Sequence, residues 1–236
     1  MRVRGTVYRA FRAPTLNELY RDFRAGNAET RSNPGLEPET MFGSEVGADL
    51  RTRVGRLSTT FFRHDLSDLI TNVTLSTTPQ LITRQRQNAG AAIARGVEAN
   101  WHMPILEHLS AELAYLYADS RFSTGERIPQ VPRHSGSAQV TWFREGTLVS
   151  GGLRAYSSQF EDDRNQFLLP GFATLQIAVR QKIRSNLSAT IALDNMLDRE
   201  YAVGITAPAA AGLSPLVSIG SPRLWRAGLR WDGPLR

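Results

Sequence analysis

Phe172-Ala-Thr-Leu-Gln-Ile-Ala-Val-Arg180 places Ala173, Leu175, Ile177 and Val179 on one parity and Thr174, Gln176, Ala178 and Arg180 on the other. Side chains of a strand point alternately to its two faces, so this spacing predicts a strand with one apolar face and one polar or small face. Leu187–Asp194 repeats the pattern, with Leu187, Ala189, Ile191 and Leu193 opposing Ser188, Thr190, Ala192 and Asp194. Trp225, Ala227, Leu229 and Trp231 alternate with Leu224, Arg226, Gly228 and Arg230, and both Phe42–Leu50 and Leu109–Ala118 behave alike.

Extended along the chain, the alternation predicts about ten strands: Arg2–Phe11, Thr40–Arg51, Arg56–Thr71, Leu81–Met103, Leu109–Phe122, His134–Phe143, Leu148–Phe160, Phe172–Ile183, Leu187–Asn195 and Arg223–Trp231. A soluble β-sandwich would alternate too. The connections distinguish the two. Short turns (RTRVG, PILEH, REGT, RSN) alternate with long polar or Gly/Pro-rich loops at Arg12–Glu39, Asn72–Gln80, Ser123–Arg133, Glu161–Gly171 and Met196–Pro222. One trimmed edge and one elaborated edge is the asymmetry of transmembrane barrels, whose apolar strand faces meet lipid. A one-residue slip would then carry arginines into hydrocarbon at about 2–4 kcal/mol each near the midplane, so register is tightly specified. Trp101, Tyr115, Tyr117, Trp142, Tyr156 and Trp231 lie near strand ends, where aromatic girdles form.

Composition agrees. In 236 residues that are 41% apolar there is no apolar run of about 20 residues able to span a membrane as a helix. The uncharged stretch Tyr201–Pro222 is interrupted by Gly204, Pro208, Gly212, Pro215, Gly220 and Pro222, and reads as loop. The absence of cysteine removes disulfides and thiolate metal sites. The net charge of +6 comes from arginine, Lys182 being the sole lysine. These arginines are scattered along alternating strands without a helix-turn-helix or RNP-like pattern, which argues against nucleic acid as a partner.

Two boxes, FRAPTLNELY (Phe11–Tyr20) and NPGLEPE (Asn33–Glu39), resemble the FRAP and NPxL boxes of TonB-dependent outer-membrane receptors, including those for siderophores and cobalamin. QNAGAAIARGVE (Gln87–Glu98), IPQVPRH (Ile128–His134), LDNMLDREY (Leu193–Tyr201) and GSPRLWRAGLRW (Gly220–Trp231) follow in that family's order. The resemblance implies an all-β fold, an antiparallel meander forming the C-terminal part of a barrel of about 22 strands. Residues 1–236 are then expected to be barrel, with Met1 an internal or artificial start and the plug, the TonB box and the earlier strands upstream. Asp232–Arg236 run past Trp231, the aromatic that matches the family's usual last residue.

The resemblance further implies a receptor in the outer membrane of a Gram-negative bacterium. It would bind a scarce nutrient, by family frequency a ferric siderophore, and import it with energy from TonB, ExbB and ExbD acting through the plug. Outer-membrane lipid and lipopolysaccharide are the remaining expected partners; no cofactor or resident metal is expected. The alternatives are a small passive porin or structural barrel and, less strongly, a barrel enzyme; no GxSxG or HExxH motif favours the last. The haem-receptor branch places a ligand histidine between the two boxes, and Thr15–Ser32 has none.

Ligand contact is expected from loop aromatics and arginines: Tyr20, Arg21, Phe23, Arg24, Phe160, Arg164 and Tyr201. Arginine forks onto carboxylate, catecholate or phosphate, and aromatic rings pack on a chelate. The motif residues Phe11, Arg12, Ala13, Pro14, Asn33, Pro34, Leu36, Asn195, Pro222 and Arg223 are expected to be structural, Pro14 ending the strand pairing and Asn33-Pro34-Gly35 making a turn.

Overall fold

The computed structural model describes residues 1–206 and 214–233, and its regular structure is almost entirely strand. Strand β1 (Arg2–Arg12) leads to the short helix α1 (Leu16–Tyr20) and the strands β2 (Phe23–Ala25) and β3 (Ala28–Arg31). Two hairpins follow, β4 (Glu39–Thr52) with β5 (Gly55–Ser67), then β6 (Ile70–Thr77) with β7 (Ile82–Asn88). Next come β8 (Ala92–Leu106), β9 (Leu109–Phe122), β10 (His134–Arg144), β11 (Thr147–Tyr156), β12 (Gln159–Phe160) and β13 (Leu168–Leu169). The chain continues through β14 (Phe172–Arg184), β15 (Leu187–Asp194), β16 (Ala202–Thr206), β17 (Leu216–Ile219) and β18 (Leu224–Trp231).

Ten of these strands form one antiparallel meander in the order β1-β4-β5-β8-β9-β10-β11-β14-β15-β18, with β1 and β18 at its edges. Directly paired residues share a sheet face, so register tests the parity. Ile177 lies opposite Leu193 and Val179 opposite Ile191, which in turn faces Ala227. Arg180, Thr190 and Gly228 align on the other face. Across β14, β15 and β18 the wall therefore has one apolar and one polar face.

Hydrogen bonding concentrates on the polar face. Arg4 donates to Asp49 (2.7 Å) and to Thr60 (2.7 Å), linking β1, β4 and β5. The Tyr8 hydroxyl donates to Glu45 (2.8 Å) and lies 3.0 Å from His64 Nε2. Gly43, paired with Tyr8, leaves room for that ring, which any Cβ at 43 would strike.

The four tight turns between wall strands, at 53–54, 107–108, 145–146 and 185–186, lie on one edge. At Glu145 (φ 50°) and Gly146 (φ 85°) both central residues take positive φ, as a type I′ hairpin turn requires. The five long connections occupy the opposite edge, and the first, second, fourth and fifth carry strands of their own. The second is β6 and β7, which leave the wall and join β2 and β3 in a separate sheet of order β2-β3-β7-β6. Here β3 and β7 run parallel, Ala28 opposite Ile82.

Three expected strands are consequently broken. Arg56–Thr71 ends at Ser67, where Asp68 (φ 59°) turns the chain out of the wall. Leu81–Met103 is β7 and β8 separated by 89–91, and Leu148–Phe160 is interrupted at 157–158. The expected loop Asn72–Gln80 is mostly β6 and its turn. The expected loop Met196–Pro222 holds the β16/β17 hairpin, while its 207–213 portion, with Pro208 and Gly212, lies outside the described residues, as do 234–236 of the tail. Alternation reveals that a segment is extended; it does not reveal which ladder receives it.

Candidate functional site

Side-chain amides tie the long connections into a roof. Asn88 accepts from the Glu37 N–H (2.9 Å) and donates to the Glu37 (2.9 Å) and Asp68 (2.6 Å) carbonyls, clipping the first connection to the second. Asn33 donates to the Arg86 carbonyl (3.0 Å) and accepts from Gly35 N–H (3.0 Å). Arg86 in turn donates to the carbonyls of Asn17 and Arg21 (3.2 Å) at the end of α1. Asn165 joins the third and fourth connections by pairing with both backbone groups of Arg127 (2.8 and 2.9 Å).

Between these pieces lies a cavity of about 670 Å³, to which all five long connections contribute. The first supplies Phe23 and Thr30, the second Arg84 and Arg86, the third Ile128 and Gln130, the fourth Glu161, Asp163 and Phe167, and the fifth Ile205 and Thr206. Its size is that of small-molecule sites, which combine apolar walls with a few placed polar groups. Arg84 stands out because its Nε is buried and has no hydrogen-bond partner among the described residues. A buried guanidinium N–H left unpaired costs free energy, and a guanidinium that lines a cavity can take up an anionic ligand oxygen through its fork.

The acidic groups are committed differently. Asp162 accepts from the N–H groups of Gln166 (2.9 Å), Phe167 (2.8 Å) and Arg164 (3.2 Å), so it organises its own loop. Glu161 accepts from Gln130 at 3.2 Å. Among the described residues no group of three or more His, Asp and Glu side chains could hold a metal ion.

Of the seven residues expected to touch ligand, Phe23 lines the cavity. Tyr20 is exposed at the end of α1 and Arg24 turns to the Gly26 carbonyl (3.3 Å). Arg21 contributes a carbonyl to Arg86, and Arg164 a backbone N–H to Asp162. Phe160 sits beneath the Arg127 guanidinium, 5.7 Å from its ring centroid. Tyr201 stacks on Phe172 (4.1 Å, 21°). Arg84, Arg86 and Gln130 were not anticipated. The signal for Arg84 and Arg86 was the run Thr83–Asn88, polar at every position and thus unlike any membrane-facing strand.

The motif residues act as braces. Arg12 binds Glu39 (2.6 Å) and Glu18 (3.0 Å), joining the wall to α1. Thr15 caps α1 in a capping box with Glu18, immediately after Ala13 and Pro14 end the strand. Partial burial pushes the Glu18 carboxyl up, but the Arg12 guanidinium and the Thr15 N–H and hydroxyl outweigh it and hold the group at about 2. Leu36, after Pro34, is buried, whereas Phe11 projects, exposed, from the apolar face. Asn195 is buried at φ 45°, accepts from Arg199 N–H (3.0 Å) and donates to the carbonyls of Arg199 (2.9 Å) and Ser221 (3.0 Å). Just beyond Pro222, Arg223 donates its N–H to Asp198 (2.9 Å).

A family model described as TonB dependent receptor-like, beta-barrel matches residues 1–196. The metal-pseudopaline receptor of Pseudomonas aeruginosa is 28% identical over 193 residues, covering 77% of this chain and 27% of that receptor. The ferric enterobactin receptor PirA of the same species is 28% identical over 158 residues, covering 59% of this chain and 21% of that receptor. The chain thus spans about a quarter of the length of these curated relatives. Among solved structures, the copper transporter OprC superposes with a TM-score of 0.79 at 14% identity, over 97% of this chain and 38% of that one. The ferric yersiniabactin uptake receptor FyuA of Yersinia pestis gives 0.72 at 20% identity, over 98% and 35%. With the meander, the asymmetric edges and the boxes in place, the family match leaves one assignment: the chain belongs to the TonB-dependent receptors and carries part of their β-barrel.

Proposed function

We propose that these ten strands are a contiguous, C-terminal stretch of an outer-membrane receptor wall, and that the roofed cavity belongs to its external ligand site. The ligand is a metal chelate, a ferric siderophore being the class favoured by the receptors this chain resembles. The apolar face meets lipid, the polar face lines the lumen around a plug, and the long connections face the medium. Import draws on TonB, ExbB and ExbD through that plug, with binding and passage as the whole of the chemistry. Arg84 carries the reading: its guanidinium, with a buried and unpaired Nε, lines a cavity walled by Phe23, Phe122 and Phe167, a combination suited to an anionic ligand with flat rings.

The test is equilibrium binding of ferric catecholate and carboxylate siderophores to the complete receptor. Loss of one charge-assisted contact predicts a Kd raised about tenfold or more in Arg84→Ala, with smaller effects for Phe23→Ala. Undiminished binding by Arg84→Ala, from a receptor that binds a chelate before substitution, would remove this cavity from the site.

A further inference from the structure

The apolar face is not apolar to its upper edge. Across β5, β8 and β9 it is built of cross-strand rows, and the row Phe61-Val97-Tyr117 is wholly uncharged. The next row toward the long connections is Arg63-Arg95-Asp119, and the one beyond it is Asp65-Ile93-Arg121. Arg63 and Arg95 are thus directly opposite each other, a like-charge pairing that destabilises a sheet unless an anion lies between.

Local carboxylates do not balance the cluster. Asp65 takes both ends of the Arg63 fork (2.8 and 3.0 Å). Asp119 alone serves Arg121 (3.2 Å), Arg133 (3.2 Å) and Arg95, the last only at 3.8 Å. Four guanidiniums against two carboxylates leave a surplus of two positive charges. Arg95 remains 66% exposed. A hollow of about 320 Å³ opens here, lined by Arg63, Ile93, Arg95, Asp119, Arg121 and Ser123.

We propose that this hollow binds the phosphate of an anionic lipid headgroup. The inference rests on the outer-membrane reading, in which this face meets lipid and its upper rows lie at the headgroups. Guanidinium forks match phosphate oxygens in pairs; Arg95 can present its fork, and Arg121, whose Nε serves Asp119 and whose Nη1 serves the Gly125 carbonyl (2.9 Å), adds its Nη2. The exposed Phe61, one row below, gives the lipid's acyl chains an apolar strip continuous with the site. A soluble phosphate would gain the forks but nothing from that strip, so the geometry selects a lipid, and on an outer leaflet a phosphorylated glycolipid. Interfacial depth also makes exposed arginines tolerable here.

Native mass spectrometry of the complete receptor in detergent, offered bisphosphorylated lipid A, its dephosphorylated form or inorganic phosphate, tests this. Bisphosphorylated lipid A should be retained at least tenfold better than the dephosphorylated lipid, a comparison that requires no variant. Arg95→Gln/Arg121→Gln should erase that preference while leaving chelate binding intact, and Arg51→Gln at the short-turn edge should not. Equal retention of the two lipids, an unaltered double variant, or full displacement by millimolar inorganic phosphate would overturn the assignment. Whole-cell labelling of Asn27→Cys by an impermeant thiol reagent separates the two levels. A receptor that labels and shows no phosphate preference refutes this site alone, whereas one absent from the outer membrane refutes the reading beneath it as well.

Discussion

The ten-stranded wall and the roof on its long-connection edge are held by different interactions. In the wall, backbone ladders continue from β1 to β18, and side-chain parity decides only which face each residue occupies. In the roof, ladders are short and four asparagines carry the joints. Asn33, Asn88, Asn165 and Asn195 each accept one backbone N–H and donate to a backbone carbonyl. An amide side chain offers the same donor and acceptor as a peptide unit, so it can stand in for a missing strand partner. A wall built this way fails by register, a roof by loss of single residues.

The largest effect should come from violating the wall's parity. Arginine in place of Ile191 or Leu229 enters the apolar face and should cost about 2–4 kcal/mol if near the bilayer midplane. Arginine at their neighbours Thr190 or Gly228 enters the polar face, where a Cβ at 228 meets nothing within 4 Å, and should cost much less. Urea titration of the complete receptor in liposomes, followed by gel mobility of the folded barrel, measures both. Equal damage from the two sets would show that the faces are not chemically distinct.

A smaller and local effect should follow from removing one roof joint. Asn195→Ala strands the Ser221 carbonyl and the Arg199 backbone groups and places alanine at a positive φ, at a cost of about 2–3 kcal/mol. Protease cleavage within the β16/β17 connection should accelerate while the folded-barrel mobility is unchanged. Asn195→Asp, which retains the acceptor and loses the donor, should fall between the two. Collapse of the barrel itself would mean that roof and wall are one cooperative unit.

The same division explains what could be read in advance. Every wall strand was visible, because period-two alternation is local and Leu187–Asp194 announces its faces without a partner. The parallel pairing of β3 with β7 was not visible: it joins segments some fifty residues apart and leaves no periodic trace in AETR or ITRQRQN. Choosing ligand residues by type therefore gathered arginines and aromatics from the roof without knowing which way the roof folds. Tyr201 is an example, an aromatic consumed by stacking on Phe172 and by the space that Gly220 leaves it. Arg84 was hidden by its assignment to the wall.

The smallest expected effect concerns the brace between wall and roof, where Arg12 of β1 meets Glu18 of α1. In the folded protein the Glu18 carboxyl is held at about 2, below its ordinary 4.5, so the fold favours the ionised form. The stabilisation is present in full above about 4.5 and is lost as pH falls from there through about 2. Solvent screening at this site keeps its size to about 1 kcal/mol. Strand β14 carries no carboxylate of its own, so its amides are the reference against which the change in the first connection is read. Hydrogen exchange at Glu18 and Leu19, whose N–H groups donate to Thr15, should quicken between pH 5 and pH 2.5 relative to amides of β14, after correction for intrinsic rates. Glu18→Gln, which keeps the acceptor but cannot ionise, should exchange faster at neutral pH and lose most of that pH dependence. If the variant retained the full dependence, the titrating group would have to be sought elsewhere, with Asp22, whose carboxyl is lowered by the Ser32 N–H and hydroxyl, the next to be replaced.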